Sequence, residues 1–428
     1  MEKLLMIALM TLVAMSPISA AEEGPRSVSV LDYGAVGDGE TDDTAAIQEA
    51  LDAVGPNGVV HLPAGAYVLT DGLVVPNGVL LEGEGARWQS RAVQLRIVEN
   101  GFPAIRLNHG SAVKGFNISY PNNQNNADPE PYPPAIQLEG INPSVENITF
   151  DCAWIGISTP PGGANAGQAM LRDLSGHVHH IGVHLSGTRD INRLQNIHWF
   201  VGGETPPGTE PYFHRNRVGF QFGHVDGILM DQCFMIHGKT FFHQLNEFDT
   251  PDGPESPAHS LGFQISNCWV EHVDNGFIFE GMTGFGLTNS NILIEEGGTG
   301  VRVANESLYY NAVISGVQVR HVSGPIVGFD VTMNQPHVRN RLSIADSQVV
   351  GGAPAVLLRS GAQRVHVHNS HLQALPDEPT IRIEEGADLL TITNNILTGT
   401  KAIDDQTASD ARKQISGNLF ERSEEAPS

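Results

Sequence analysis

From about residue 100 a short phrase returns along the chain: a small residue, then apolar, variable, apolar. It reads Ala104-Ile105-Arg106-Leu107, Ala135-Ile136-Gln137-Leu138, Gly182-Val183-His184-Leu185 and Gly219-Phe220-Gln221-Phe222, and it returns at Gly276, Gly300, Gly328, Ala355 and Thr380. Weaker copies start near Gly156 and Thr240. Between these phrases lies a second one with an Asn, Asp or Ser corner, at Asn289, Asp346 and Asn394 among others. Successive starts are about 22 to 28 residues apart from Gly276 onward, a solenoid period rather than a domain size. Alternation with period two turns one set of side chains inward and the other outward, so strands of neighbouring turns stack in parallel at about 4.8 Å. The pattern predicts an all-β, single-domain right-handed parallel β-helix of about 11–12 coils.

A solenoid end leaves strand edges to be covered. Residues 41–51 supply a helix at the N-terminal end, capped by Asp43 or Thr44, with Ala46, Ile47, Ala50 and Leu51 as its apolar face. Before it, Lys3 precedes an apolar run from Leu4 to Met15, followed by Ser19, Ala20 and Ala21. That is the layout of an export signal. The expected organisation is therefore a signal peptide over 1–21, the β-helix over 22–420 and a disordered tail over 421–428, in a secreted or periplasmic protein.

Composition narrows the partners. Asp and Glu outnumber Lys and Arg 48 to 24, a formal charge of −24. Such acidity argues against nucleic acid or an anionic membrane as partner. Cys152, Cys233 and Cys268 are too few for a disulfide framework and each sits in an apolar run, as buried thiols do.

The stretch from Val30 to Gln48, with Asp32-Tyr33-Gly34-Ala35, Gly37-Asp38-Gly39 and Thr41-Asp42-Asp43-Thr44, resembles the opening of the pectate-lyase superfamily, as does Gly58 to Tyr67. That opening is shared by rhamnogalacturonases, polygalacturonase-like proteins, alginate epimerases and phage tailspikes. The resemblance implies the β-helix fold and work on glycans, with Asp32, Asp38, Asp42 and Asp43 shaping turns rather than doing chemistry. The Asp-Pro-His-Glu motif of the epimerases is absent, and so is the polygalacturonase set, since Gly223-His224 is followed by Val225. The tailspike likeness makes a homotrimer an alternative to a monomer.

Four polar, Pro-rich insertions interrupt the first half, at 121–134, 159–168, 202–217 and 246–259, and build the walls of a binding face. Tyr120, Tyr132 and Tyr212 flank them, either as platforms for sugar rings or as pins for their own loops. Outward positions form a ladder of Arg106, Gln137, His184, Gln221, His243, Ile278 and Arg302, with Glu139 and Glu280 one step along. Glycoside hydrolysis needs two carboxyl groups about 5 to 9.5 Å apart. Glu139 and Glu280 are several coils too distant for that, leaving Glu247 with Asp249, or Asp226 with Asp231. Elimination needs a base beside a uronate carboxyl and cations to hold that carboxylate.

The inventory therefore points to a polysaccharide lyase acting on a uronate-containing or sulfated glycan. His184 or His243 is the base, Lys239 with Arg215 or Arg217 holds the carboxylate, and Arg302 forms a flanking subsite. Arg106, Gln137, Gln221, Glu280, Tyr132 and Tyr212 complete the substrate-binding set. No cofactor is demanded, and Ca²⁺ is an alternative holder of the carboxylate. A glycoside hydrolase is the runner-up and a non-catalytic glycan-binding surface protein the third reading. His177 and His179 are expected on a solvated strand face rather than in a zinc site, and Trp199, Phe234 and Trp269, at steps of 35, are expected to stack in adjacent coils.

Overall fold

Each strand phrase is too short to bury its own apolar face, so the chain winds, and every turn packs on the one before it. The computed structural model describes residues 25–85, 92–161, 165–246, 262–281, 284–305, 311–333 and 341–422. The export signal expected over 1–21 lies outside them. All strand pairings among the described residues are parallel, and the ladders close a right-handed parallel β-helix with three sheets.

The first sheet runs through Ser27–Ser29, Val59–Leu62 and Leu80–Gly83 to Lys413–Ser416. The second starts at Asp38–Asp42 and ends at Leu419–Arg422, two residues past the boundary expected for the ordered chain. The third starts at Leu73–Val75 and ends at Lys401–Asp405. Its successive pairings join thirteen strands among the described residues. That exceeds the expected coil number because the first and last of these strands do not carry the phrase.

The corner between the first and second sheets explains the Asn/Asp/Ser phrase. Asn267, Asn289, Asp346, Asn369 and Asn394 all have φ between 49° and 57°, a left-handed conformation that Asn and Asp tolerate better than other side chains. The residue after each corner turns inward. Ser370 Oγ accepts from Ser347 N at 3.2 Å, and Asn395 Oδ1 from Ser370 N at 3.0 Å. Short polar side chains thus satisfy backbone groups that the corner takes out of the ladders.

The N-terminal cap is the helix Thr44–Ala53, which buries Ile47, Ala50 and Leu51 over the open end of the core. Asp43 holds the N-cap position, but its carboxylate turns away from the helix and accepts from Val36 N at 2.6 Å and Gly37 N at 3.2 Å. Asp42 takes the capping contact, accepting from Thr44 N at 3.0 Å and Thr44 Oγ1 at 2.6 Å. Asp38 closes its own turn onto Glu40 and Thr41.

Inside, the central coils are filled by aromatic stacks. Phe222, Phe242 and Phe263 meet at 5.3 to 5.9 Å between centroids, and Phe279 stacks on Phe285 at 3.7 Å. Trp199 is fully buried against Phe150 and Phe220. It does not stack with Phe234, because the register pairs His198 with Phe234 and Trp199 with Met235. Phe234 then pairs with Trp269, which is 46% exposed. A one-residue slip sends neighbouring side chains to opposite faces, so the equal spacing holds for the second step only.

Candidate active site

The outward side of the third sheet carries the polar ladder. Register partners follow one another as Arg106, Gln137, Ser158, His184, Gln221, His243, Ile278, Arg302 and Asp330. Two rungs are added to those expected: Ser158, from the weak copy near Gly156, and Asp330 beyond Arg302. The insertions at 121–134 and 202–217 enter this sheet from the second-sheet side. Two further insertions follow strands of this sheet in sequence, at 159–168 and 246–259; of the latter only Asn246 lies within the described residues. Glu247 and Asp249 fall outside the described residues.

Across two of these rungs His243 Nε2 meets Glu280 Oε2 at 3.2 Å. The hydrogen bond from His243 holds the Glu280 carboxyl below its ordinary range, against the opposing effect of burial and with help from the charge of Arg302. An ionised carboxylate only accepts, so the Nε2 that faces it carries a proton. The turn bearing Glu280 is fixed by the buried Gln244, whose Oε1 accepts from Glu280 N at 3.1 Å and Gly281 N at 2.6 Å. Farther along, Arg106 and Gln137 close on Glu139 at 3.6 and 3.0 Å.

The remaining predicted residues separate from this groove. Arg217 is fully buried and is not a surface ligand for a carboxylate. Its guanidinium donates to the carbonyls of Phe200 at 2.8 Å, His237 at 3.1 Å and Ile236 at 2.5 Å, and lies 5.0 Å from the Phe213 ring centre. Burial pulls its pKa down to about 9, still above neutral pH, so it remains a cation. Arg215 is exposed and paired with Glu210. Tyr132 is buried edge-on against Tyr120 at 5.1 Å, which makes it a pin for its insertion and not a sugar platform. Asp226 and Asp231 bind neighbouring turns through Asp190 N, Ser266 Oγ and Asn267 Nδ2.

Lys239 sits instead at the corner between the second and third sheets, which holds a second cluster. There the insertion 202–217 folds into the short helix Tyr212–Asn216. Tyr212 Oη contacts His180 Nδ1 at 3.2 Å, and Trp154 stacks on the His180 ring at 4.7 Å. The rings of His214 and His237 lie 4.8 Å apart, those of His237 and His272 4.9 Å, and His272 Nδ1 meets Glu295 Oε1 at 2.7 Å. Burial, helped by the neighbouring His214, His272 and Arg217, lowers His237 to about 4. Burial raises Asp274, with the Glu295 carboxylate adding to it and Lys239 opposing. Sequence reasoning missed this cluster, although a signal was present: His237 and His272 repeat the 35-residue step of Phe234 and Trp269.

His177 and His179 flank the core residue Val178 on an outward strand face, but that face is covered and not solvated. Both are fully buried, beside Cys152. Among the clefts bordered by described residues, one of about 520 Å³ lies far from both clusters, lined by Arg341, Arg364, His366, Arg412 and Lys413. Arg412 and Lys413 are committed to Asp388 and Asp405, which removes two of its charges from use.

With this geometry in view, the family description rhamnogalacturonase A/epimerase, pectate lyase-like matches residues 27–128. A probable rhamnogalacturonase A of Aspergillus niger is 30% identical over 115 residues, 25% of this chain and 26% of that protein. The chain thus spans about a quarter of the length of that curated relative. Among solved structures, the pre-mature gene product 12 of bacteriophage phi29 superposes with a TM-score of 0.61 at 14% identity, covering 91% of this chain and 56% of that one. The tailspike of the Escherichia coli bacteriophage HK620, solved with a pentasaccharide, gives 0.54 at 10%, covering 89% and 78%. Residues 27–128 thus resemble the pectate-lyase-like superfamily, and the likeness to solved structures extends the parallel β-helix fold along the chain.

Proposed function

We propose that the protein is a carbohydrate-active enzyme that takes an acidic polysaccharide into the third-sheet groove and cleaves it by β-elimination. The observation that carries this reading is the His243–Glu280 pair. Glu280 fixes the ring so that Nδ1 is the proton acceptor, the pairing of base and orienting group that general-base chemistry needs. His243 removes the proton beside the uronate carboxyl, the electron pair forms the new double bond, and the glycosidic oxygen departs with its bonding pair. Arg302 and His184 lie two rungs to either side, about 10 Å away, where they meet anionic groups of flanking sugars. The likeness to a rhamnogalacturonase and to a tailspike solved with a pentasaccharide supports a glycan substrate. Action on extracellular glycan fits the export signal expected over 1–21.

A specific observation favours hydrolysis as the second reading. Asp274 is raised toward its protonated form, and Glu295, hydrogen-bonded to His272, stands on the next coil. Two carboxyl groups on adjacent coils, one of them raised by burial, supply the residue types that glycosidases use. The test is absorbance of the protein with uronate-containing polysaccharides, with and without Ca²⁺, alongside a reducing-end assay. Rising ultraviolet absorbance with new reducing ends establishes elimination. New reducing ends without absorbance establish hydrolysis, and retained binding with neither leaves a non-catalytic glycan binder.

A further inference from the structure

Outside both clusters lies a buried chain of four ring nitrogens between two carbonyls. His177 Nδ1 is 3.1 Å from Phe200 O, His177 Nε2 is 3.2 Å from His179 Nδ1, and His179 Nε2 is 2.8 Å from Asn123 O. Carbonyls only accept, so satisfying all three contacts takes three protons, whereas two neutral imidazoles carry two. A third proton would place an imidazolium beside the buried Arg217 guanidinium, whose Nη1 lies 3.5 Å from His177 Nδ1. Two protons satisfy the chain if His177 Nδ1 accepts from Arg217 Nη1 at 3.5 Å; spent on the two carbonyls instead, they leave two nitrogen lone pairs facing each other at 3.2 Å. Two nitrogens each about 2.0–2.1 Å from a tetrahedral zinc stand about 3.3 Å apart. A ligating histidine usually donates its other N–H to a carbonyl or carboxylate, as both of these then do.

A third donor is in place. Cys152 Sγ and a ring nitrogen from each histidine lie within 4.8 Å of one another, and all three residues are buried. Asn126 Oδ1, buried and without a hydrogen-bond partner, flanks the same spot: a side chain on Gly203 would put its Cβ 3.1 Å from Cys152 Sγ and 3.0 Å from Asn126 Oδ1. Arg217 opposes a cation here. The Cys152 thiolate and the buried Asp151 carboxylate offset it. A cleft of about 560 Å³ lined by Pro121, Gln124, Asn125, Glu204 and Pro206 lies on the solvent side of the cluster, with Gln124 Oε1 3.3 Å from Cys152 Sγ.

We propose that Cys152, His177 and His179 form a structural zinc site that fastens the insertions 121–134 and 202–217 to the coils beneath them. Asn123 belongs to the first insertion, and Phe200 and Gly203 stand at the entry of the second, so one ion would stiffen a wall of the groove.

The test uses the full chain after chelation and exhaustive dialysis. Wild type is expected to take up one equivalent of Zn²⁺ and, with Co²⁺ as probe, to develop thiolate-to-cobalt absorption in the near ultraviolet. Cys152→Ser loses that absorption and the Cys233→Ser/Cys268→Ser double variant keeps it. In that double variant Cys152 is the sole thiol, and Zn²⁺ is expected to slow its labelling at least about tenfold, a readout that does not depend on Cys152→Ser folding. No uptake by folded wild type, a Co²⁺ spectrum that survives in folded Cys152→Ser, or labelling indifferent to Zn²⁺ overturns the assignment.

Discussion

Replacing Arg217 with Met removes a buried cation while keeping most of its volume. Three carbonyls, those of Phe200, Ile236 and His237, lose a charged donor. Hydrogen bonds to charged groups contribute about 1.5–3 kcal/mol each, and Phe200 O retains His177 Nδ1. Against this, the variant no longer buries an ion, which returns several kcal/mol. The carbonyls left behind outweigh that return, because unmade buried acceptors bear the full cost of desolvation, and the expected net loss is about 3 kcal/mol. Unfolding entropy of about 2.1 cal/mol/K per residue over a chain of this size converts that loss to a fall in Tm of about 3 °C. Calorimetry reads the shift, and limited proteolysis at 202–217 reads whether the wall has come loose. An unchanged or higher Tm with an intact wall would show that burying the charge costs more than the carbonyl bonds return, and the clamp assigned to Arg217 would be refuted.

His243→Ala is expected to lower kcat about 10²- to 10⁴-fold, the range for a lost general base, and Glu280→Gln to lower it less with KM little changed; full activity in His243→Ala refutes the base. His237 titrates near 4 in the fold against 6.5 when unfolded, so the unfolded state binds more protons between those values and stability falls as pH drops from 6.5 toward 4. Tm measured at about pH 7 and about pH 5 should show that fall, and His237→Gln should reduce it. Gly176 has φ 135°, and a Cβ there would lie 2.0 Å from Phe150 O, so Gly176→Ala should lower Tm by several degrees or abolish soluble expression. With a charge of −24 on the body, moderate salt should lower KM for a polyanionic substrate by screening repulsion over a Debye length of about 10 Å at 0.1 M; a KM that only rises with salt contradicts this.

The third-sheet ladder was legible because its rungs keep strict alternation: Arg106, Gln137, His184 and Gln221 each stand between two inward apolar residues. His243 holds its rung opposite Gln221 although the weak copy of the phrase near Thr240 is offset from it by one residue. Alternation fails where a strand runs on through a corner. Gly176, at φ 135°, turns such a corner; beyond it His177 and His179 alternate with the core residue Val178 and face outward, and they are buried because the insertions carrying Asn123 and Phe213 cover them. His237 and His272, with φ of 60° and 54°, are likewise corner residues that a strand pattern does not register. Arg217 was misplaced for another reason. Sequence assigns an arginine at the end of a polar loop to the surface, and only the carbonyls of Phe200, Ile236 and His237 that its guanidinium reaches reveal why it is inside.

These failures share a cause that bears on how such a scaffold makes a site. In a solenoid each coil touches only its neighbours, and ladder positions are quantised at about 4.8 Å along the axis. That spacing suits repeated subsites for a chain of sugars, as His184, Gln221, His243 and Arg302 are arranged. It is too coarse for chemistry, which needs groups in hydrogen-bond contact at distances no single rung supplies. His243 reaches Glu280 only because Glu280 stands one step past the rung beside it, on a turn held by Gln244. The corner cluster forms only because an insertion carries Tyr212 and His214 back over the coils. Departures from the repeat are therefore where contact chemistry has to be built, and Arg217, with the buried histidines beside it, anchors the largest of them to the regular core.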